Sequence, residues 1–238
     1  MIGLAFVHIA KADMKILCTQ ALEGVFPAIL PHIPGDSVVY GTTGGLIADL
    51  EAGNGGDLLL ASRPALDELA RLGKVERGSV TDIASTPVGI AAKKGVGKLD
   101  VSSVEAVRKL LLAAGPVAYP EPSGGGVSGV HFAQMLDKLG IADEVNRHAI
   151  LVKAGGVAAD YVVSGQAALA VQMISELMMV DGIEIVGTLP GEFARIISFS
   201  GAVPSDSCHA VEATDIIQAL KTPAARAIML KAGLDPAP

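Results

Sequence analysis

"DSVVYGTTGGLIADLEAGNGGDLLLAS", residues 36–62, is where the fold is decided. Its two ends, 36–40 and 57–62, are short apolar runs with the length and composition of buried strands. Between them residues 45–52 read as a helix, and Gly53 stands where a helix-ending glycine belongs. Strand, helix and strand in alternation predict an α/β protein whose sheets are mostly parallel.

The same rhythm runs outward in both directions. Upstream, residues 14–18 read as a buried strand and 22–33 as a helix, with Pro27 early in it or kinking it. Downstream, residues 64–73 read as a helix that starts on Pro64 and stops at Gly73. Residues 81–86 read as turns, and "PVGIAAKK" (87–94) opens a second set of elements. That set has helices at 101–115, 128–140 and 156–165 and strands at 116–120, 149–153, 166–172, 182–187 and 193–203. In the second of these helices Val130, Ala133, Leu136 and Leu139 fall along one face. Helices at 210–220 and 223–232 follow. A chain of 238 residues arranged this way predicts two α/β lobes, 1–84 with 187–238 and 85–186, and a cleft between them. Ligands of open α/β sheets gather beyond the carboxyl ends of strands. The candidate loops are therefore 19–21, 41–45, 123–128 and 172–176.

Composition removes several function classes. Half of the residues are hydrophobic and 18% are charged, the balance of a packed core rather than of disorder. A net charge of −7 without a run of Lys and Arg argues against nucleic acid as a partner. There is no Trp, with five Phe and three Tyr, too few aromatic faces for a sugar or base-stacking site. Cys18 and Cys208 form no CxxC and have no neighbouring His in sequence, so no metal or cofactor is expected; whether the two pair is left open. No stretch reaches the ~18 uncharged apolar residues of a membrane span. The opening "MIGLAFVHIAKADMK" (1–15) has an apolar run and small residues at Ala10 and Ala12. No positive charge precedes that run and His8 interrupts it, which favours a strand extension or a ragged start over a signal peptide.

"YPEPSGGGVSGVHF" (119–132) asks why three glycines precede a helix. A helix begins with unpaired N–H groups and a partial positive charge, and glycines let an anion reach them. Ser123 and Ser128 add hydroxyl donors to Gly124, Gly125 and Gly126. "GTTGG" (41–45) repeats the recipe one lobe earlier with Thr42, Thr43 and Gly44. Two such loops in different halves read as two jaws on one small anion; two ordinary capped turns are the plainer alternative. Gly124, Gly126 and Gly129 also satisfy the dinucleotide pattern G-x-G-x-x-G, but the acidic partner Glu144 falls before the next strand rather than at its end.

With these loops in place, the chain resembles the type II periplasmic-binding-protein fold, and within it the molybdate-binding-like solute-binding proteins. The resemblance rests on "LIADLEAGNGGDLLLAS", "LDELARLGKV", "MLDKLGIADEV" and "VVSGQAALAVQ", in that order. "VAYPEPSGGGVSG", "QMISELMMVDGIEIVGTLPGE" and "TPAARAIMLKAGLDP" resemble a branch that includes aconitate isomerase. The family implies two hinged lobes closing on a ligand. Where molybdate binders place a serine in the first loop, this chain has Ala21 beside Thr19 and Gln20; the second loop's serine matches Thr43. The late tyrosine of that family falls near Met173, next to Gln172. These departures point away from molybdate and towards a carboxylate-bearing organic anion, for which amides and hydroxyls are suitable donors.

Other residues enter singly. Arg63 follows a strand end and could fork onto a carboxylate, or stand exposed at a helix start. Lys153 ends a strand of the second lobe. His131, in the first turn after the glycine loop, and Glu176, after the Gln172 loop, are the candidate acid/base pair if the protein is an enzyme. The main expectation is a receptor for a small organic anion serving an ABC-type importer, which implies a periplasmic location. The alternative is an isomerase that shifts a double bond in a tricarboxylate, which fits a cytoplasmic chain. A third possibility, a cytoplasmic ligand sensor, has no DNA-binding helix pair to support it.

Overall fold

The computed structural model describes residues 14–238. The leader-peptide question and His8 lie outside the described residues.

The first strand set is built from β1 (Ile16–Thr19), β2 (Val38–Gly41) and β3 (Leu58–Ser62). β1 lies between the other two and pairs parallel with both. β1 and β3 are buried along their whole length, which is why they read as unbroken apolar runs rather than as alternation. Around them run α1 (Phe26–Ile29), α2 (Thr43–Glu51) and α3 (Arg63–Arg71). The sequence reading made one helix of residues 22–33; instead Gln20–Leu22 form a 3-10 turn and α1 spans four residues, with Pro27 in its first turn. Gly53 follows α2 at φ 82°, the left-handed conformation expected of it.

The next strand, β4 (Thr81–Lys93), runs for 13 residues and overturns the turns expected at 81–86. It is followed by α4 (Val104–Ala113), β5 (Val117–Pro120), α5 (Val127–Lys138), α6 (Ala142–Asn146), β6 (Ile150–Val152), α7 (Ala158–Val163), β7 (Leu169–Met173), α8 (Ile174–Leu177) and β8 (Ile183–Thr188). Here β5 pairs parallel with β6 and with β7. The chain then returns through β9 (Ile196–Ala202), α9 (Ala210–Ala219), α10 (Pro223–Lys231) and β10 (Asp235–Pro236). β9 joins β3 to β4, giving the order β2-β1-β3-β9-β4-β7-β5-β6, with β8 and β10 also on β4.

β4 belongs to both sets. From Thr81 to Pro87 it pairs antiparallel with β9; from Val88 onward it pairs with β7 and β8. The sequence reading ended one set of elements in turns at 81–86 and opened another at 87–94, whereas one strand runs through both. Pro87, which has no N–H to donate, sits at the changeover, and the Val88 N–H bonds the Arg195 carbonyl at 2.9 Å. A Cβ on Gly89 would lie 2.7 Å from Ile174 Cγ1 and 3.0 Å from the Gly187 carbonyl oxygen, so the bare position lets α8 and β8 approach.

The core follows the two sets. Ile16, Leu58, Leu60, Ile216 and Met229 are buried together around the first, and Val88, Val117, Tyr119, Phe132, Leu136 and Val171 around the second. The buried stripe of α5 is Ser128, Gly129, Phe132, Met135 and Leu136, not the face through Val130, which is exposed. Glu144 lies in the short helix α6 rather than in a loop. Cys18 is buried and Cys208 exposed, and both are free thiols. Among the described residues no helix is long and apolar enough to cross a membrane.

Gly129 explains the last glycine of the 124–129 pattern. A Cβ there would sit 2.1 Å from the Pro120 carbonyl oxygen, so α5 lies against the end of β5 only because the side chain is missing. Gly129→Ala therefore costs about 1–3 kcal/mol of stability by overpacking, even though alanine is the better helix former. Urea unfolding measures this, and a variant as stable as the parent would contradict the contact.

Candidate functional site

The carboxyl ends of β1, β2, β5, β6 and β7 open onto one crevice. Its lining includes Thr19 and Gln20 after β1, Gly41, Thr42 and Thr43 after β2, and Pro120, Glu121, Gly124, Gly126 and Ser128 after β5. Lys153 and Gly156 come from the end of β6, and Gln172, Met173 and Glu176 from β7 and α8. The space reaches about 470 Å³ out to its mouth, but only about 30 Å³ of it admits the centre of a water-sized sphere. That is room for roughly two waters. The two sides are closed on each other.

They touch through main chain. Thr42 caps α2 by accepting from the Gly45 N–H at 3.1 Å, and its hydroxyl donates across the crevice to the Gly124 carbonyl at 2.8 Å. Gln20 Nε2 donates to the Gly156 carbonyl at 3.2 Å, a second bridge. Gly44 and Gly125 meet where a Cβ on either would lie 3.0 Å from the other's Cα. Gly125 has φ 71°, a conformation that a side chain would strain. The glycines of both loops thus serve close approach of two backbones.

Donors line the space behind this contact. Thr43 is 8% exposed; its Oγ1 accepts from the Ser62 N–H at 3.2 Å, which leaves its own proton to donate. Ser128 is 2% exposed in the first turn of α5. Gln172 is committed elsewhere: its Oε1 accepts from the Ala158 N–H at 2.7 Å and its Nε2 faces the Gly156 carbonyl at 3.4 Å. It braces the start of α7 more than it offers free donors.

Glu176 is the unusual group. It is 3% exposed, yet its Oε2 has no hydrogen-bond partner among the described residues. Burial pushes its carboxyl up to about 8, and the Glu23 carboxylate adds to this; the Gln172 amide and the Met173 N–H, which favour the ionised form, offset it only in part. At neutral pH the group is therefore a carboxylic acid with a proton to give. Glu121 also lines the crevice, half-buried, and Lys153 brings the one cationic side chain among the lining residues.

Of the residues named from sequence, Thr19, Gln20, Thr42, Thr43, Gly124, Gly126, Ser128, Gln172 and Glu176 line this crevice. Gly44 and Gly125 form its closure, and Ser123 is exposed outside it. Arg63 is not there: its Nε bonds Asp67 and its Nη1 bonds Asp82, each at 2.8 Å, so its fork is filled by the protein's own carboxylates. Asp82 is held below the usual carboxylate range by the Ser200 hydroxyl and by Arg63. His131 is not in the lining either; its Nε2 lies 2.9 Å from the Phe193 carbonyl, facing the chain's return from β8 to β9. The α5 stripe explains this, because packing Ser128 and Phe132 inward turns position 131 aside. Glu121 and Gly156 were missed. Their signal was position, since each lies just past a strand end, as the named residues do.

The fold agrees with what this chain resembles. The model of the bacterial extracellular solute-binding protein family matches residues 37–235. An aconitate isomerase from Pseudomonas sp is 34% identical over 183 residues, which cover 76% of this chain and 68% of the relative. The periplasmic molybdate-binding protein of Azotobacter vinelandii superposes with a TM-score of 0.73 at 17% identity, over 93% of this chain and 98% of that one. The sulfate-binding protein SubI of Mycobacterium tuberculosis gives 0.69 at 19% identity, over 94% and 86%. The structural likenesses speak for the fold, and the family match spans most of the sequence: the chain belongs to the bacterial extracellular solute-binding protein family.

Proposed function

We propose that the protein captures a small carboxylate-bearing organic anion between two lobes and delivers it to an ABC-type importer. The lobes divide where β4 changes partners, at Pro87 and Val88, and where the chain returns between Leu189 and Arg195. The observation that carries this reading is the convergence of Thr43 from one side and Ser128 from the other on one crevice, beside two glycine loops in main-chain contact. Hydroxyls and main-chain N–H groups donate to carboxylate oxygens without bringing a compensating charge. Lys153 at the rim adds attraction for an anion. Molybdate is disfavoured because Ala21 has no hydroxyl and Gln172 is already engaged. With about 30 Å³ of free interior, entry of any such ligand requires the jaws to part at Thr42–Gly124 and Gln20–Gly156 and to close again over it.

A second reading has its own support. The Pseudomonas relative is an aconitate isomerase, and aconitate is a tricarboxylate. Moving its double bond means removing a proton from one carbon and returning one to another, which needs a proton carrier in a closed, dry site. Glu176 is a buried carboxyl in this crevice, whereas His131 lies outside it.

Two measurements test these readings. In calorimetry with trans-aconitate as the probe, Thr43→Ala and Ser128→Ala each weaken binding about ten- to a hundredfold, the worth of a hydrogen bond to a charged group. Gly44→Ala also weakens binding, although it favours helix α2, because its methyl meets Gly125. Unchanged affinity in all three variants would end the two-jaw account. Proton NMR of the protein with cis- or trans-aconitate separates capture from catalysis. Saturable binding without interconversion supports the receptor; interconversion lost in Glu176→Gln but kept in His131→Ala supports the isomerase.

A further inference from the structure

We infer that Glu176 is the proton-bearing contact of this site, donating its O–H to a carboxylate of the bound anion, so that capture is coupled to a proton. The inference rests on the carboxylate-capture reading and adds to it the chemistry of one contact.

Three observations lead there. Glu176 lies in the crevice lining at 3% exposure, and its Oε2 has no partner among the described residues. A buried oxygen without a partner costs free energy, which a ligand atom within reach would recover. An ionised carboxylate in this position would repel the anion that the other donors attract, whereas a neutral acid adds one more donor. The site thereby favours a fully ionised carboxylate, an acceptor, over a neutral or donor-bearing molecule of the same shape.

The surroundings keep the proton on Glu176. α8 packs against β4, β7 and the 3-10 turn Gln20–Leu22. The charged group facing Glu176 from that turn is Glu23, whose own carboxyl is raised by burial and whose charge opposes ionisation of Glu176. β7 presents Gln172. Across the crevice stand Glu121 and Lys153. Burial brings Glu176 from the ordinary carboxylate value of 4.5 to about 8. Below that pH the acid is in place and binding needs no proton. Above it the complex must take one up, and affinity falls by about tenfold per pH unit.

The test is calorimetry of the full chain with trans-aconitate from pH 7 to pH 10, in pairs of buffers with different ionisation enthalpies. The probe's own carboxyls are ionised throughout this range. The expected result is level affinity near pH 7, a decline above about pH 8, and proton uptake rising towards one per ligand bound. Glu176→Gln keeps an N–H donor in place and binds with pH-independent affinity, while Lys153→Gln binds more weakly but keeps the slope. Thermal unfolding without the probe gives a second readout. Because the folded protein holds a proton that the unfolded chain releases near 4.5, wild type loses stability relative to Glu176→Gln as pH rises from about 4.5 to about 8, then levels. Flat wild-type affinity, proton release on binding, a slope that survives in Glu176→Gln, or no pH-dependent stability difference would each overturn the inference alone. Absence of binding at every pH would instead remove the carboxylate-capture reading, and this inference with it.

Discussion

One strand does two jobs, and the site depends on it. β4 completes the first strand set with its first half and the second set with its second half, so the sheets share a backbone rather than a linker. A shared strand ties the direction of one set to that of the other. The carboxyl ends of β1 and β2 therefore face those of β5 and β6 across one crevice. The anchoring is reinforced at the changeover, where the Thr86 hydroxyl donates to the Gly233 carbonyl at 2.8 Å and accepts from the Ser175 N–H at 3.3 Å. That residue ties the chain's last turn, β4 and α8 together next to the point where β4 changes partners.

What the sequence made legible follows from the range of its signals. Strands such as Leu58–Ser62 and the helix ending at Gly53 are set by local composition, and they lie where the sequence placed them. The glycine loops were legible as two jaws on one anion but not as touching each other, because the contact between Gly44 and Gly125 joins positions some eighty residues apart. β4 was legible only from residue 87 onward, because its first half takes its strand form from pairing with β9, more than a hundred residues away, while Gly89 admits Ile174. Arg63 and His131 stand outside the crevice for a related reason. Each sits beside a loop of the site, but side-chain direction is decided by packing: Asp67 and Asp82 claim the arginine, and the inward turn of Phe132 sends His131 towards Phe193.

The crevice presents a tension in charge. The chain is acidic overall, and two carboxyls, Glu121 and Glu176, line a site whose other features suit an anion. Helix starts and hydroxyls offset part of this, and Lys153 offsets more. The remainder is settled by burial: a carboxyl removed from water with one oxygen unpaired is more stable with its proton than without it. The same desolvation that makes an acid costly in a core makes it compatible with a negative ligand.

Capture and isomerisation then differ less in architecture than in the fate of one proton. Both require jaws that part and close, donors from two sides, and exclusion of water. A receptor keeps the Glu176 proton in a hydrogen bond and releases the ligand unchanged. An isomerase would move a proton to carbon while the substrate loses one elsewhere, so the acid must be regenerated in the same closed space. Likeness of fold carries no chemistry, so the outcome rests on the reach of one side chain: a carboxyl that reaches only the ligand's oxygens holds it, and one that also reaches an allylic carbon turns it over.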